Sequence, residues 1–377
     1  MKRFLIGFAA VVMIFASATL ARQAGSAGPY KILKTVKAGG DGGFDYISAD
    51  VAGRRLYVPR NGAAGLMVFN LDTLESAGSI PSIAAGGAAV DPKSHHGFST
   101  TKPVTMWDSQ TLQVIKTIDV DGRPDGIMYD SYNARIWIFS HQPPYATVIN
   151  GSDGSIAGTI DLGGAPEQGV SDGMGTVYVN ISDKANIAVV DAKTLTVTGH
   201  YDVSSKGSGG SGLALDAKNH ILFGYYRMPS PVVVIVNATN GNIITTVPTG
   251  MGVDTAAFDP NTMEAISAER AGTMTFIKEG SPTSFSVEQT LTTMPVAKTL
   301  ALDTKTDNVF TMTAEYGPAP APPATPPPAA TPPPAGGPGG APGAGPGGPG
   351  QDGRGGGFRG GRAPMLPDSF TVFMIGK

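Results

Sequence analysis

A chain of 377 residues with 41% hydrophobic content is long enough to bury a substantial core. Its net charge of −3 and 15% charged content argue against general nucleic-acid binding. The absence of cysteine excludes disulfides, thiolate metal sites, a lipoprotein anchor and covalently attached c-type haem.

The chain opens on "MKRFLIGFAAVVMIFASATLA", in which Lys2 and Arg3 precede an apolar run from Phe4 to Ala16 and then small residues. This pattern is a secretory signal peptide over residues 1–21, with cleavage expected after Ala18 or Ala21. The run is too short for a comfortable membrane span, and no later segment qualifies. The expected location is therefore periplasmic or secreted. Next comes "KILKTVKAGG" (Lys31–Gly40), a strand with no obvious local partner.

From there a phrase repeats: one or two apolar residues, Asp, a polar turn, then an apolar run. It occurs at Asp50, Asp91, Asp130, Asp172, Asp216, Asp259 and Asp303, at steps of 39 to 44 residues. A period near 40 with strand-like content is the mark of a β-propeller, at about 40–45 residues per four-stranded blade. Within a unit such as "GTVYVNISDKANIAVVDAKTLTVTGHYDV" (Gly175–Val203), β-branched runs alternate with Asn, Asp, Gly, Lys and Ser, as an antiparallel meander requires. The marker Asp falls between first and second strands, where its carboxylate can accept backbone N–H groups. The markers are expected to be turn formers.

The last unit is interrupted. "KTLALD" and "NVFTMTAEY" supply two strands, residues 317–367 are almost all Pro, Gly and Ala, and "SFTVFMI" (Ser369–Ile375) supplies a third. The insert cannot bury a core and is expected to be disordered. Its "GRGGGFRGGR" (Gly353–Arg362) resembles an RGG-type RNA-binding element; a soluble exposed loop is the plainer reading. The missing fourth strand is found at the other end of the chain. "ILKTV" (Ile32–Val36) answers "VIKTI" (Val114–Ile118), the outer strand of the second unit. The predicted fold is all-β: a seven-bladed propeller of four-stranded antiparallel blades, closed by the N-terminal strand joining the last blade. It comprises residues 30–316 and a final strand in 368–377.

"LYVPRNGAAGLMVFNLDTLESAGSI" (Leu56–Ile80) and "VYVNISDKANIAVVDAKTLTV" (Val177–Val197) resemble the YVTN-type repeat of YncE-like seven-bladed propellers. "VDGRPDGIMYD" (Val120–Asp130) resembles that family's blade start. The resemblance implies the fold and leaves the activity open, because such repeats occur in exported, surface and redox proteins. Two departures stand out: the insert, and "GFSTTKPVTMW" in blade two, which looks too short for a full connection between second and third strands.

In this connectivity the blade-to-blade loops and the second-to-third strand loops share one face, at the channel mouth. The first set carries Asp45, Asp125, Glu167, Gln168, Asp254 and Lys298; the second carries Arg60, His141, Arg227, Glu269 and Arg270. Blades two and five start instead with "AAGGAA" (Ala84–Ala89) and "GSGGSG" (Gly207–Gly212). A mouth lined with acids and interrupted at two sectors is expected, with Lys298 the one basic residue in the first set. The plain alternative is that these groups only hold water. His95 and His96 fall in a turn on the opposite face, as solvated residues rather than ligands. No nucleophile motif, phosphate loop, metal set or cofactor fingerprint stands out, and "GGDGG" (Gly39–Gly43) precedes a strand rather than a helix. Two functions follow. The favoured one is an exported non-catalytic propeller that binds a small ligand, a peptide or an envelope partner at the mouth. The alternative is a lactonase-type hydrolase on the same face, with His141, Arg227 and Glu167 as acid/base and oxyanion groups.

Overall fold

The computed structural model describes residues 28–40, 42–62, 64–80, 86–318 and 363–377. They form seven four-stranded antiparallel sheets and no helix. Blades one to six take consecutive strands, from Ser48–Asp50 in blade one to Ser284–Thr292 in blade six. Blade seven is Leu300–Asp303, Asn308–Thr313, Thr371–Gly376 and, outermost, Lys31–Lys37. The N-terminal strand pairs with the C-terminal one from Lys31↔Gly376 to Lys37↔Thr371, so the two ends of the chain close the ring. Closure leaves no unpaired seam between first and last blades.

The blades form as the strand propensities dictate. Second strands such as Arg135–Ser140 ("RIWIFS") are branched or aromatic and buried on both faces, because each blade is sandwiched between two neighbours. Outer strands such as Val114–Ile118 are exposed at all but their last residue. Between blades seven and one, Leu56, Phe69, Phe310 and Phe370 share one core cluster. Blade two is complete: His96–Ser99 pairs with Val104–Asp108 across a four-residue connection, so the segment that looked short in sequence is long enough.

The seven marker carboxylates do what turn formers do. Asp91, Asp130, Asp172, Asp216, Asp259 and Asp303 each accept the backbone N–H two residues on, and Asp50 accepts that of Gly53. In six of the seven turns the residue four after the marker has a left-handed backbone: Arg54, His95, Ala134, His220, Met263 and Asp307. These turns also latch neighbouring blades. Arg54 of blade one donates to both carboxylate oxygens of buried Asp303 in blade seven, at 2.8 and 2.6 Å, and to Asp72. Asn261 of blade six donates to Asp307 and to the Thr304 carbonyl of blade seven, and Asn219 of blade five to Glu279 of blade six.

At the opposite face the ends of the insert lie side by side. Tyr316 and Met365 form an antiparallel bridge, and Gly317 N–H donates to the Pro364 carbonyl. Residues 1–27, with the expected signal segment, and 319–362 of the insert, with its Arg-Gly element, lie outside the described residues.

Candidate functional site

The channel mouth is built from one register position. The residue five ahead of each marker Asp is Asp45, Gly86, Asp125, Glu167, Ser211, Asp254 and Lys298 in blades one to seven. In blades three to six the inner strand's pairing skips at this point, between Pro124 and Ile127, Pro166 and Gly169, Gly210 and Leu213, and Val253 and Ala256. A bulge of this kind frees backbone groups and re-aims side chains, and here it turns the polar residues to the rim. Ordered around the ring, the charged positions fall into two arcs, blades six-seven-one and three-four, separated by Gly86 and Ser211.

The first arc is a chain of ion pairs. Arg227 of blade five donates to Asp254 Oδ1 at 2.8 Å and to the Val253 carbonyl. Lys298 bonds the other Asp254 oxygen and also Asp45 Oδ1, at 2.8 Å in the latter case. Burial alone would raise the Asp254 carboxyl, but the Lys298 ammonium and Arg227 guanidinium overcome it and hold it below its ordinary value. Asp45, with burial opposed by Lys298 alone, is raised. The ammonium of Lys298, despite its own burial, is held charged by Asp254 and Asp45. The backbone joins the arc too: Thr299 Oγ1 donates to the Asp45 carbonyl, and Leu300 N–H to Thr255 Oγ1.

The second arc is different. His141 Nε2 lies 3.5 Å from Asp125 Oδ2 and 3.8 Å from Glu167 Oε1, both beyond good hydrogen-bond length. No described residue donates a hydrogen bond to either carboxylate. Glu167 leaves only 12% of its side chain exposed. Burial, then the charges of Asp254 and Asp125, push its carboxyl up to about 8, against the pull of Arg227. One nitrogen and two carboxylate oxygens here lie within 4.8 Å of one another, the one group of three possible metal ligands among the described residues.

Tyr46, which the sequence did not single out, is one position further along blade one. Burial and then the charges of Asp125, Glu167, Asp254 and Asp45 hold its phenol protonated, which places it in the field of all four acids. The next position in blade four is Gln168. Its Oε1 accepts from the Leu213 and Ala256 N–H groups, and its Nε2 donates to the Ala256 carbonyl. Gln168 thus braces three inner strands and lines a channel cavity of about 340 Å³ with Met128, Tyr129, Leu215 and Phe258.

Of the ten candidates, the structure gathers Asp45, Asp125, His141, Glu167, Arg227, Asp254 and Lys298 at the mouth and sets Gln168 just beneath. It does not bring Arg60 or Glu269 there. Arg60 is fully buried; it donates to the carbonyls of Gly39, Gly40 and Gly42 and stacks 3.7 Å over Phe370, clamping the loop behind the closing strand. Glu269 is also fully buried and accepts from Ser267 Oγ at 2.6 Å and Thr249 Oγ1 at 3.3 Å. The acids expected to line the mouth are in part neutralised, because Lys298, the basic residue among the leading loops, and Arg227 interleave with Asp45 and Asp254. The lining is interrupted at the two glycine sectors, where packing is close. A side chain at Gly87 would meet Ile127 and Tyr46, and one at Gly212 would meet Val253 and Ala256, all within 3.3 Å. His96 gives Nδ1 to the Gly151 carbonyl on the opposite face.

No protein-family model matches the chain, and no curated protein does. Solved structures do. A chain of the mitotic checkpoint complex superposes with a TM-score of 0.65 at 10% identity, over 80% of this chain and 95% of that one. U3-55K gives 0.61 at 10% identity, over 75% and 90%. Hydrazine synthase from Kuenenia stuttgartiensis gives 0.62 at 13% identity, over 71% and 92%. Identities this low establish the propeller fold alone.

Proposed function

We propose that this chain is an exported, non-catalytic propeller of the YncE-like type that uses its channel mouth to bind a ligand or partner segment carrying a cationic or hydrogen-bond-donating group. One observation carries the reading: among the described residues Asp125 and Glu167 have no hydrogen-bond donor, while Asp45 and Asp254 are already neutralised by Lys298 and Arg227. A cation entering this partly dry rim favours the ionised form of Glu167, whose carboxyl is otherwise pushed up to about 8, and then meets the focused field of the pair. Propellers commonly serve as interaction scaffolds, and one matching structure is described as the WD40 repeats of RRP9. Export rests on Lys2, Arg3 and the apolar run that follows, and N-terminal sequencing of protein recovered from the envelope or medium would test it.

The binding test is a panel of amines, guanidines and Lys- or Arg-rich peptides measured by calorimetry at low salt. Asp125→Asn with Glu167→Gln should weaken any ligand found at least about tenfold, and added salt should weaken it further. The reading fails if no member binds, or if the double variant binds as tightly as the parent.

A second reading has one observation in its favour. Glu167, pushed up to about 8 beside His141, has the proton affinity of a general acid. A lactonase-type hydrolase could use it, but Arg227, the oxyanion group such chemistry would need, is committed to Asp254. Turnover of a lactone panel that is lost in Glu167→Gln would establish this reading in place of the first.

A further inference from the structure

We propose that Asp125, His141 and Glu167 form a binding site for a first-row divalent metal ion at the channel mouth. The inference deepens the reading of the mouth as a cation-binding site and rests on it.

The spacing is somewhat wider than that of a coordination shell. Ligands at about 2.1 Å from an ion lie about 3.4 Å apart at tetrahedral angles and about 3.0 Å apart at octahedral ones. The imidazole nitrogen stands 3.5 Å from one carboxylate oxygen and 3.8 Å from the other, and the three ligand atoms lie within 4.8 Å of one another, so the side chains draw together to seat an ion. A direct hydrogen bond would have closed these distances to below about 3.2 Å. Every other acid at the mouth has found a donor; these two have none among the described residues. Glu167, with 12% of its side chain exposed, turns an unpartnered carboxylate into the trio. Water satisfies an exposed carboxylate cheaply but a nearly buried one poorly.

The three ligands arrive on well-fixed supports. Asp125 and Glu167 occupy the same bulge position in adjacent blades, each anchored by its own inner strand. His141 follows directly on the strand Arg135–Ser140. Ser140 Oγ donates to the Gln142 carbonyl and accepts from the Arg123 and Gln142 N–H groups, pinning the backbone on both sides of His141. One imidazole and two carboxylates suit Zn²⁺ or Mn²⁺ rather than Mg²⁺ or Ca²⁺, which prefer oxygen-only sets. Zn²⁺ should bind tighter than Mn²⁺.

The test uses the full mature chain, free of any tag and stripped by a chelator. Titration with Zn²⁺, and separately Mn²⁺, should show one saturable site per chain. Asp125→Asn, His141→Ala and Glu167→Gln should each weaken it by about tenfold or more. His95→Asn, on the opposite face and compatible with the left-handed backbone there, should leave it unchanged. A pulsed electron spin echo measurement on the Mn²⁺-loaded parent needs no variant and should show coupling to one imidazole nitrogen. The assignment is overturned if no stoichiometric ion binds, if the Mn²⁺ signal lacks that coupling, or if the three variants bind as the parent does. Amine or guanidine binding that depends on Asp125 and Glu167, without metal uptake, would overturn this assignment and leave the broader reading of the mouth standing. Metal uptake without any organic ligand would do the reverse.

Discussion

Tyr30 should be the residue on which ring closure depends most. It precedes the closing strand and reaches back onto blade six, where its ring stacks on Phe276 at 3.7 Å between centroids. Its hydroxyl donates to Glu264, a fully buried carboxylate that also meets Lys377 at 3.3 Å. Gln289 clamps the backbone, accepting from Tyr30 N–H at 2.8 Å and donating to its carbonyl at 2.9 Å. Tyr30→Ala removes a side chain in a residue that is only 3% exposed. Deleting a buried aromatic costs about 3–5 kcal/mol, and the stacked pair adds about 0.5–1.5. Stripping Glu264 of a donor costs about 1–3 kcal/mol, in part made up by Lys377 and by Lys278, which lies 3.9 Å away. These terms overlap, so a loss of about 4–6 kcal/mol is expected, a large fraction of a typical domain stability of about 5–15. Tyr30→Phe keeps the stack and the Gln289 clamp and should lose only about 1.5–3 kcal/mol. Urea titration followed by circular dichroism reads both as a lower midpoint. The reasoning is refuted if Tyr30→Ala costs under about 1 kcal/mol, or if Tyr30→Phe costs as much as Tyr30→Ala.

The other predictions concern the latches, a buried acid and the insert. Arg54→Ala leaves Asp303 buried with only its own turn as partner, and should cost about 2–4 kcal/mol by the same urea assay. A cost under about 0.5 kcal/mol would show that the turn alone satisfies Asp303. Burial raises the Glu269 carboxyl, so the folded state holds a proton that the unfolded chain has released. Its contribution is full below the ordinary carboxyl pKa and is lost as pH rises through the folded value. Glu269→Gln should therefore gain stability relative to the parent as pH rises, and a stability difference that stays constant with pH would contradict this. Replacing residues 319–362 by a short Gly-Ser loop should leave circular dichroism and melting nearly as before, because the ends are already joined by the Tyr316–Met365 bridge; a large drop in melting temperature would mean that the insert packs on the ring.

The fold was legible because a propeller repeats its local chemistry. One Asp per blade, at near-constant spacing, marked a turn whose side-chain-to-backbone bonds the structure contains. Ring closure was readable from Ile32–Val36 for the same reason, since an outer strand has its own pattern of half-exposed apolar residues. A second marker was equally available and was not used. Asn70, Asp108, Asp191 and Asn237 accept N–H groups in the turns between third and fourth strands. Leu74, Leu112 and Leu195, four residues on, take left-handed backbones, and Leu112 and Leu195 lie against Gly78 and Gly158 of the preceding blade. The length of the loop after Ser99 was misjudged because a four-residue turn carries no periodic signal.

The mouth was legible in position but not in pairing. The fixed offset of five residues from the marker Asp places all seven rim positions and adds Tyr46 at the next. What the offset cannot supply is the reach of the second-to-third strand loops, which follow no common spacing. Arg227 crosses from blade five to Asp254 in blade six, and Arg60 turns away from the rim toward Phe370. Both are basic residues at comparable places in their blades, yet only one changes the field at the mouth. The sign of that field is thus set by the rim residues together with the neighbours that reach them. Two acids matched by Lys298 and Arg227 stabilise the ring, and the two that among the described residues are met only by His141 remain available to act on something else.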